Sequence, residues 1–184
     1  MTLDSRNQVD LWVSMLDYLK GLLYDLPEFI TGRSMIPESN HLFQVSPEDE
    51  RTLLDEDQAT AFHHTVAQLL CVPSRATKDI NMDIAFLCTR VRIPDEYEQG
   101  KLVRVLRHII GTLHLPLILR AVSLSVIKLW FNASFDAYPL YKGSTEAMMS
   151  MGPGLIMELS WKQEINGRVS MGYNIVGTDN DLPQ

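Results

Sequence analysis

The spacing of apolar residues changes once along this 184-residue chain, near Gly111, and that change limits the folds open to it. Before Gly111 apolar residues recur every three or four positions, as on one face of a helix; beyond it they come in short extended runs. Three helical segments with short connections precede the change. The first starts near Asp57, carries Phe62, Val66, Leu69 and Leu70 inward and ends at Pro73. The second starts near Lys78 or Asp79, places Ile80, Ile84, Leu87, Cys88 and Val91 on one face, and is followed by Pro94. The third opens on Asp95 and Glu98 as a cap pair, turns Leu102, Leu106 and Ile109 inward and closes at Gly111. Amphipathic helices linked this closely bury one another, so a compact bundle is expected.

After the bundle, Leu115 to Leu119, Val126 to Phe131, Ala147 to Met151 and Leu155 to Ser160 are strand candidates, with turn signals at Lys142-Gly143-Ser144 and Gly152-Pro153-Gly154. They suggest an antiparallel meander. The run from Ser125 to Ser134 reads as a buried or half-buried strand ending in small polar residues, with a loop opened by Asp136 and Pro139. Alternation puts Val126, Lys128, Trp130 and Asn132 on one face and Ile127, Leu129, Phe131 and Ala133 on the other. Arg168 to Val176 is expected to form a short helix, weakened by Gly167, Gly172 and Gly177, and the sheet then stops unfinished.

Ahead of the bundle, Leu11-Trp12-Val13 reads as a short strand leading into a helix capped by Ser14, with Asp17 three positions on. Leu16, Leu19, Leu22, Leu23 and Leu26 form its stripe, and Pro27 ends it. A loop region follows to Asp57, with a possible short strand at His41 to Val45. Most of the acid lies in this front part: residues 1 to 60 hold 12 acidic and 4 basic side chains, within a net charge of −7 for the chain. Such runs are usually solvated linkers, and the net charge argues against an autonomous nucleic-acid binder.

An apolar fraction of 46% and a charged fraction of 21% suit a globular protein. No apolar run is long enough for a bilayer span, and the N-terminus lacks a signal peptide's regions, so an intracellular protein, cytoplasmic or nuclear, is expected. Cys71 and Cys88 lie too far apart for a Cys-x-x-Cys site and read as buried free thiols, with a disulfide as the lesser alternative.

On the third helix Lys101, Arg104 and His108 share a face, with Arg107 beside it. They read either as a ridge contacting nucleic-acid phosphates or as the solvated face of an acidic protein, and composition favours the second. Lys128 is a further basic residue available to such a ridge. His63 and His64 are adjacent and point apart, which suits surface or partly buried histidines better than a metal site.

The order of several stretches resembles the C-terminal reverse transcriptase and ribonuclease H region of the Pol polyproteins of copia-type LTR retrotransposons. Val13-Ser14-Met15-Leu16-Asp17-Tyr18-Leu19 and Ile36-Pro37 resemble the region after the polymerase palm. Phe62 to Leu70 and Arg75-Ala76-Thr77-Lys78-Asp79-Ile80 are similar to its thumb-like helices, and Leu106-Arg107-His108-Ile109-Ile110-Gly111-Thr112 to the stretch closing the last of them. Ser160-Trp161-Lys162-Gln163 resembles the Ser-Arg-Lys-Gln run before the ribonuclease H helix. The resemblance implies an α+β chain in three parts: residues 1–58 as the end of a palm or connection-like region with an acidic loop, 59–113 as a three-helix thumb-like bundle, and 114–184 as a partial ribonuclease H-like domain. That last part would hold the first antiparallel strands and a helix.

The family synthesises DNA from RNA and hydrolyses RNA in RNA–DNA hybrids, using Mg2+. Its Tyr-Val-Asp-Asp motif would precede Met1. The first ribonuclease H aspartate belongs in Val-Asp-Ala-Ser, where this chain reads Phe131-Asn132-Ala133-Ser134. The glutamate stretch is replaced by Val169-Ser170-Met171-Gly172-Tyr173-Asn174, and later acidic positions would follow Gln184. Magnesium prefers anionic oxygens, so Asn132 and Gly172 imply a truncated, degenerate copy: a pseudoenzyme with no intact catalytic residue, metal site or cofactor. An RNA–DNA hybrid or another polymerase fragment is the partner implied, with Lys101, Arg104, Arg107 and Lys128 as the nucleic-acid contacts. Neither a membrane nor a small-molecule cofactor is expected. The alternative is a non-catalytic nucleic-acid-binding or protein-interaction module on the same fold.

Overall fold

Apart from one short strand at Leu11–Val13, helices precede strands in the computed structural model, which describes residues 10–24, 26, 30–38, 41–120, 126–138, 142–163 and 173–177. The architecture is mixed α+β. Leu11–Val13 (β1) leads into Leu16–Tyr24 (α1), whose first turn is capped by Ser14 Oγ accepting from the Leu16 N–H at 3.3 Å. Glu56–Leu69 (α2) starts on a capping box: Asp55 accepts from the Gln58 N–H at 2.8 Å, and the Gln58 side chain accepts from the Asp55 N–H. The helix stops at Leu69, which leaves Leu70 55% exposed instead of on the inner face. Pro73 does not end α2. It sits in the first turn of Val72–Arg75 (α3), where a missing N–H is tolerated.

A 3-10 turn at Lys78–Ile80 runs into Asn81–Cys88 (α4), and Glu96–Thr112 (α5) carries the expected Asp95/Glu98 box. Arg51 Nε donates to Asp95 at 3.1 Å and Arg90 Nε to Glu98 at 2.6 Å, which is how two buried carboxylates are compensated. The core collects Leu19 and Leu22 of α1, Phe62, Val66 and Leu69 of α2, Ile84, Phe86 and Leu87 of α4, and Leu102, Leu106 and Ile109 of α5. Cys71 and Cys88 are free and half-buried, and burial raises the Cys88 thiol.

His41 to Val45 is not a strand; residues 41–43 form a turn. Its carbonyls serve a buried cation instead of a neighbouring strand, because Lys101 Nζ donates to the oxygens of Leu42 at 2.7 Å and Gln44 at 2.5 Å. Phe43 packs edge-on against Phe86 and Tyr138.

Leu117–Leu119 (β2) returns to pair antiparallel with β1, and Arg120 clamps Asp10 through two bonds of 2.5 and 2.6 Å. The other sheet comprises Ile127–Tyr138 (β3), Lys142–Ser150 (β4), Met157–Lys162 (β5) and Tyr173–Gly177 (β6), in the order β5-β4-β3-β6 with antiparallel neighbours. The expected meander is present from β3 to β5, but its expected first strand, Leu117–Leu119, belongs to the separate sheet with β1. Its boundaries move outward: β3 runs past Asp136 to Tyr138 through a register shift, and Lys142-Gly143-Ser144 lies inside β4. Gly152 to Gly154 does turn the chain, with Gly154 at φ +89°.

The expected helix at Arg168 to Val176 is overturned at its described end. Tyr173–Gly177 is strand β6, paired with β3 from Ile127↔Gly177 to Phe131↔Tyr173. Glycine at Gly172 and Gly177 and β-branched Ile175 and Val176 disfavour helix, and β3 offers an unpaired edge. Residues 168–172 and the tail from Thr178 lie outside the described residues.

Alternation leaves open which face of the sheet the helices cover. Lys162 of β5 lies over the buried Tyr138 ring at 5.6 Å, and Lys78 before α4 donates to the Ile156 oxygen and faces Glu158. The mixed face therefore meets the helices along β5, at Glu158 and Lys162, while Lys128 and Asn132 on the same face of β3 stay exposed. The apolar face meets solvent, with Ile127, Phe131, Met157, Leu159 and Trp161 each between 39% and 46% exposed.

Candidate functional site

Two clusters bear on function, one on the sheet and one on α5. On the sheet, alternation and register put Asn132 opposite Glu146, and Glu146 opposite Ser160; in the next row Trp130, Met148 and Glu158 align. Asn132 Nδ2 lies 3.5 Å from Glu146 Oε2, as donor to acceptor. Burial raises the Glu158 carboxyl, an effect opposed by the nearby Lys78 ammonium. Burial in turn lowers Lys78, whose Nζ donates to the Ser74 oxygen at 2.9 Å. Ser144 and Ser160 on the same face have buried hydroxyls without a hydrogen-bond partner, as does Tyr138. Burial pushes the Tyr138 phenol up to about 12.

These residues do not fit a two-magnesium centre. Such a centre needs several anionic oxygens converging on one point. Here the residue is a neutral amide whose N–H is turned toward the Glu146 carboxylate, and it stands in the middle of β3 and not at a strand end. No three His, Cys, Asp or Glu side chains among the described residues are grouped to hold a metal ion. Gly172, Asp179 and Asp181 lie outside the described residues.

The second cluster rests on α5. Tyr97, Gly100, Lys101, Arg104 and Arg107 follow at helical spacing and form one wall of a cavity of about 470 Å³. Arg33, Ser34 and Glu96 complete it. The loop carrying Arg33 is tied to the helix by three hydrogen bonds. Arg107 Nε donates to the Thr31 oxygen at 2.8 Å, the Ser34 N–H donates to the Arg107 oxygen at 3.2 Å, and His108 Nδ1 lies 3.3 Å from the Ser34 oxygen.

The four expected nucleic-acid contacts separate here. Lys101 is 4% exposed: its ammonium is held by the Leu42 and Gln44 carbonyls and lies between the Phe86 and Tyr97 rings, 4.5 and 4.4 Å from their centroids. Burial pulls it down to about 8. It is a structural cation, and the expectation that it offers a free phosphate contact is corrected. Buried His108, from the same predicted ridge, directs Nε2 at Asp79 Oδ2, 2.6 Å away. Lys128 is exposed but stands on the sheet, apart from the α5 cavity.

Arg104 and Arg107 do come together, and Arg33 joins them. Arg104 Nε is buried with no hydrogen-bond partner, and Arg104 makes no ion pair with an acidic side chain among the described residues. Asp83 is close enough to feel its charge without closing a bridge. Three guanidinium groups around one cavity, with Glu96 the only carboxylate in its lining among the described residues, make it a cationic site on an acidic protein. Arg33 had no signal in the sequence, because a loop 63 residues before the start of α5 carries it.

The class defined by fold and site is thus a mixed α+β protein, helices followed by an antiparallel sheet, with an arginine-lined cavity at the helix–loop junction. No protein-family model matches the chain, and neither does any curated protein or solved structure.

Proposed function

We infer that this chain is a catalytically silent form of the copia-type reverse transcriptase and ribonuclease H region, one that holds nucleic acid without cutting it. The observation that carries this reading is the convergence of Arg33, Arg104 and Arg107 on one cavity in a protein of net charge −7. Clustered guanidinium groups with spare donors suit phosphate oxygens, which accept their paired N–H groups. The lineage rests on the ordered resemblance of the stretches from Val13 to Gln163. A helical section followed by a β3-β4-β5 meander is consistent with a thumb-like bundle and a ribonuclease H-like sheet. Strand β6 departs from that pattern. Loss of catalysis follows from Asn132, whose amide engages Glu146 where a metal-holding carboxylate belongs.

The test is filter binding of the full chain to a 20-base-pair RNA–DNA hybrid across a salt series. Affinity is expected to fall steeply with salt, and Arg33→Gln to flatten the slope by about one unit. Binding absent at low salt, or a slope unchanged by Arg33→Gln, contradicts the reading. A protein-interaction role is the second reading, favoured by the exposed apolar face of Ile127, Phe131, Met157, Leu159 and Trp161. Under it the chain elutes larger as its concentration rises, and a concentration-independent monomer argues against it.

A further inference from the structure

We propose that the cavity of Arg33, Arg104, Arg107 and Tyr97 seats one unpaired nucleotide of a nucleic-acid strand, its phosphate on the guanidinium groups and its base on the Tyr97 ring. The site presupposes the nucleic-acid binding proposed above and narrows its ligand. A cavity of about 470 Å³ is of the size that encloses a small molecule. A duplex is a convex cylinder whose paired bases are stacked inside it, so it can lay a backbone across the cavity mouth but cannot place a base within. A single strand can do both.

Two features favour a nucleotide over a bare anion, and a third favours an anionic group at this wall. Tyr97 is 39% exposed and lines the cavity, while the Lys101 ammonium lies 4.4 Å from its ring centroid. An aromatic plane beside cationic groups is the usual means of holding single strands: stacking accepts any base, and charge follows the backbone. Gly100 lies between these groups, and even a Cβ there would meet nothing within 4 Å, so the floor is open. Finally, Arg104 makes no ion pair with an acidic side chain among the described residues, so its charge at the cavity wall is left for an anionic group to balance. The loop is already fastened to α5 through Thr31 and Ser34, so little ordering remains to oppose binding.

The experiment is fluorescence anisotropy of the full chain at low salt with a labelled 12-nucleotide RNA, free or annealed to complementary DNA as a blunt hybrid. The single strand is expected to bind about tenfold more tightly than the hybrid, and Tyr97→Leu to weaken the single strand about fivefold while leaving the hybrid unchanged. Arg33→Gln, at an exposed position, should weaken both, and circular dichroism should show both variants folded. Equal affinity for the two probes with no effect of Tyr97→Leu overturns the nucleotide seat and leaves phosphate binding standing. No binding to either probe overturns both. An oligoglutamate peptide that displaces the RNA at equal charge concentration also overturns the seat, because a plain polyanion would then suffice.

Discussion

Asp83→Asn should stabilise this protein increasingly as pH rises from about 4 to about 7, and fully above neutral pH. Asp83 lies in α4, only 2% exposed, and its carboxyl is pushed up to about 7 by burial first, then by Glu38 and Asp79, with Arg104 acting in the opposite direction. The unfolded carboxyl keeps its ordinary value near 3.8, so between these limits the unfolded chain releases its proton while the folded one retains it. Fewer protons on the unfolded state make stability fall as pH rises. About three units at 1.36 kcal/mol each give a loss on the order of 4 kcal/mol, complete by about pH 8. Asparagine keeps the shape and cannot ionise. Urea unfolding of both proteins between pH 4.5 and 8.5 isolates this effect, since all other groups titrate alike in the two. The difference should be small at the acid end and grow to about 2–4 kcal/mol in favour of Asn at pH 8. A difference that does not change with pH, or an Asn variant less stable at pH 8, refutes the reasoning.

Lys101→Ala removes two donor bonds and two ring contacts and leaves the Leu42 and Gln44 carbonyls unpaired, so it should cost about 3 kcal/mol in urea unfolding. Gly154→Ala should lower stability by more than about 1 kcal/mol, because its φ of +89° disfavours a side chain and the new Cβ would fall 2.2 Å from the Ile118 oxygen. Leu159→Lys, on the solvent face of β5, should change the unfolding free energy by less than about 0.5 kcal/mol yet reduce light scattering at high concentration.

Local chemistry was readable ahead of the structure wherever neighbours in sequence decide it. The Ser14 cap, the Asp95/Glu98 box, the inner faces through Phe62, Ile84, Leu102 and Ile109, and the meander depend on spacings of two to four residues. One misreading was local, at Leu70 and Pro73, where a second short helix begins; the others arose where distant parts meet. Lys101 sits at a helical position that looks solvated, and only the Leu42–Gln44 turn, nearly 60 residues away, shows why it is buried. The orientation of β3 could not be read from alternation, because the apolar face is not the one the helices cover; Lys78, Glu158 and Lys162 determine that instead. Of the arginine cavity, Arg104 and Arg107 were readable as helix neighbours, whereas Arg33 is brought in by tertiary hydrogen bonds.

The most direct measurement mixes the full chain with end-labelled RNA annealed to a longer DNA strand that leaves a single-stranded overhang, in magnesium at low salt. Binding and RNA integrity are then read from the same samples. The expected result is a salt-sensitive complex, weakened by Arg33→Gln, in which the RNA strand stays whole. Magnesium-dependent RNA cleavage that disappears with Asn132→Ala, or the absence of any complex, would contradict it.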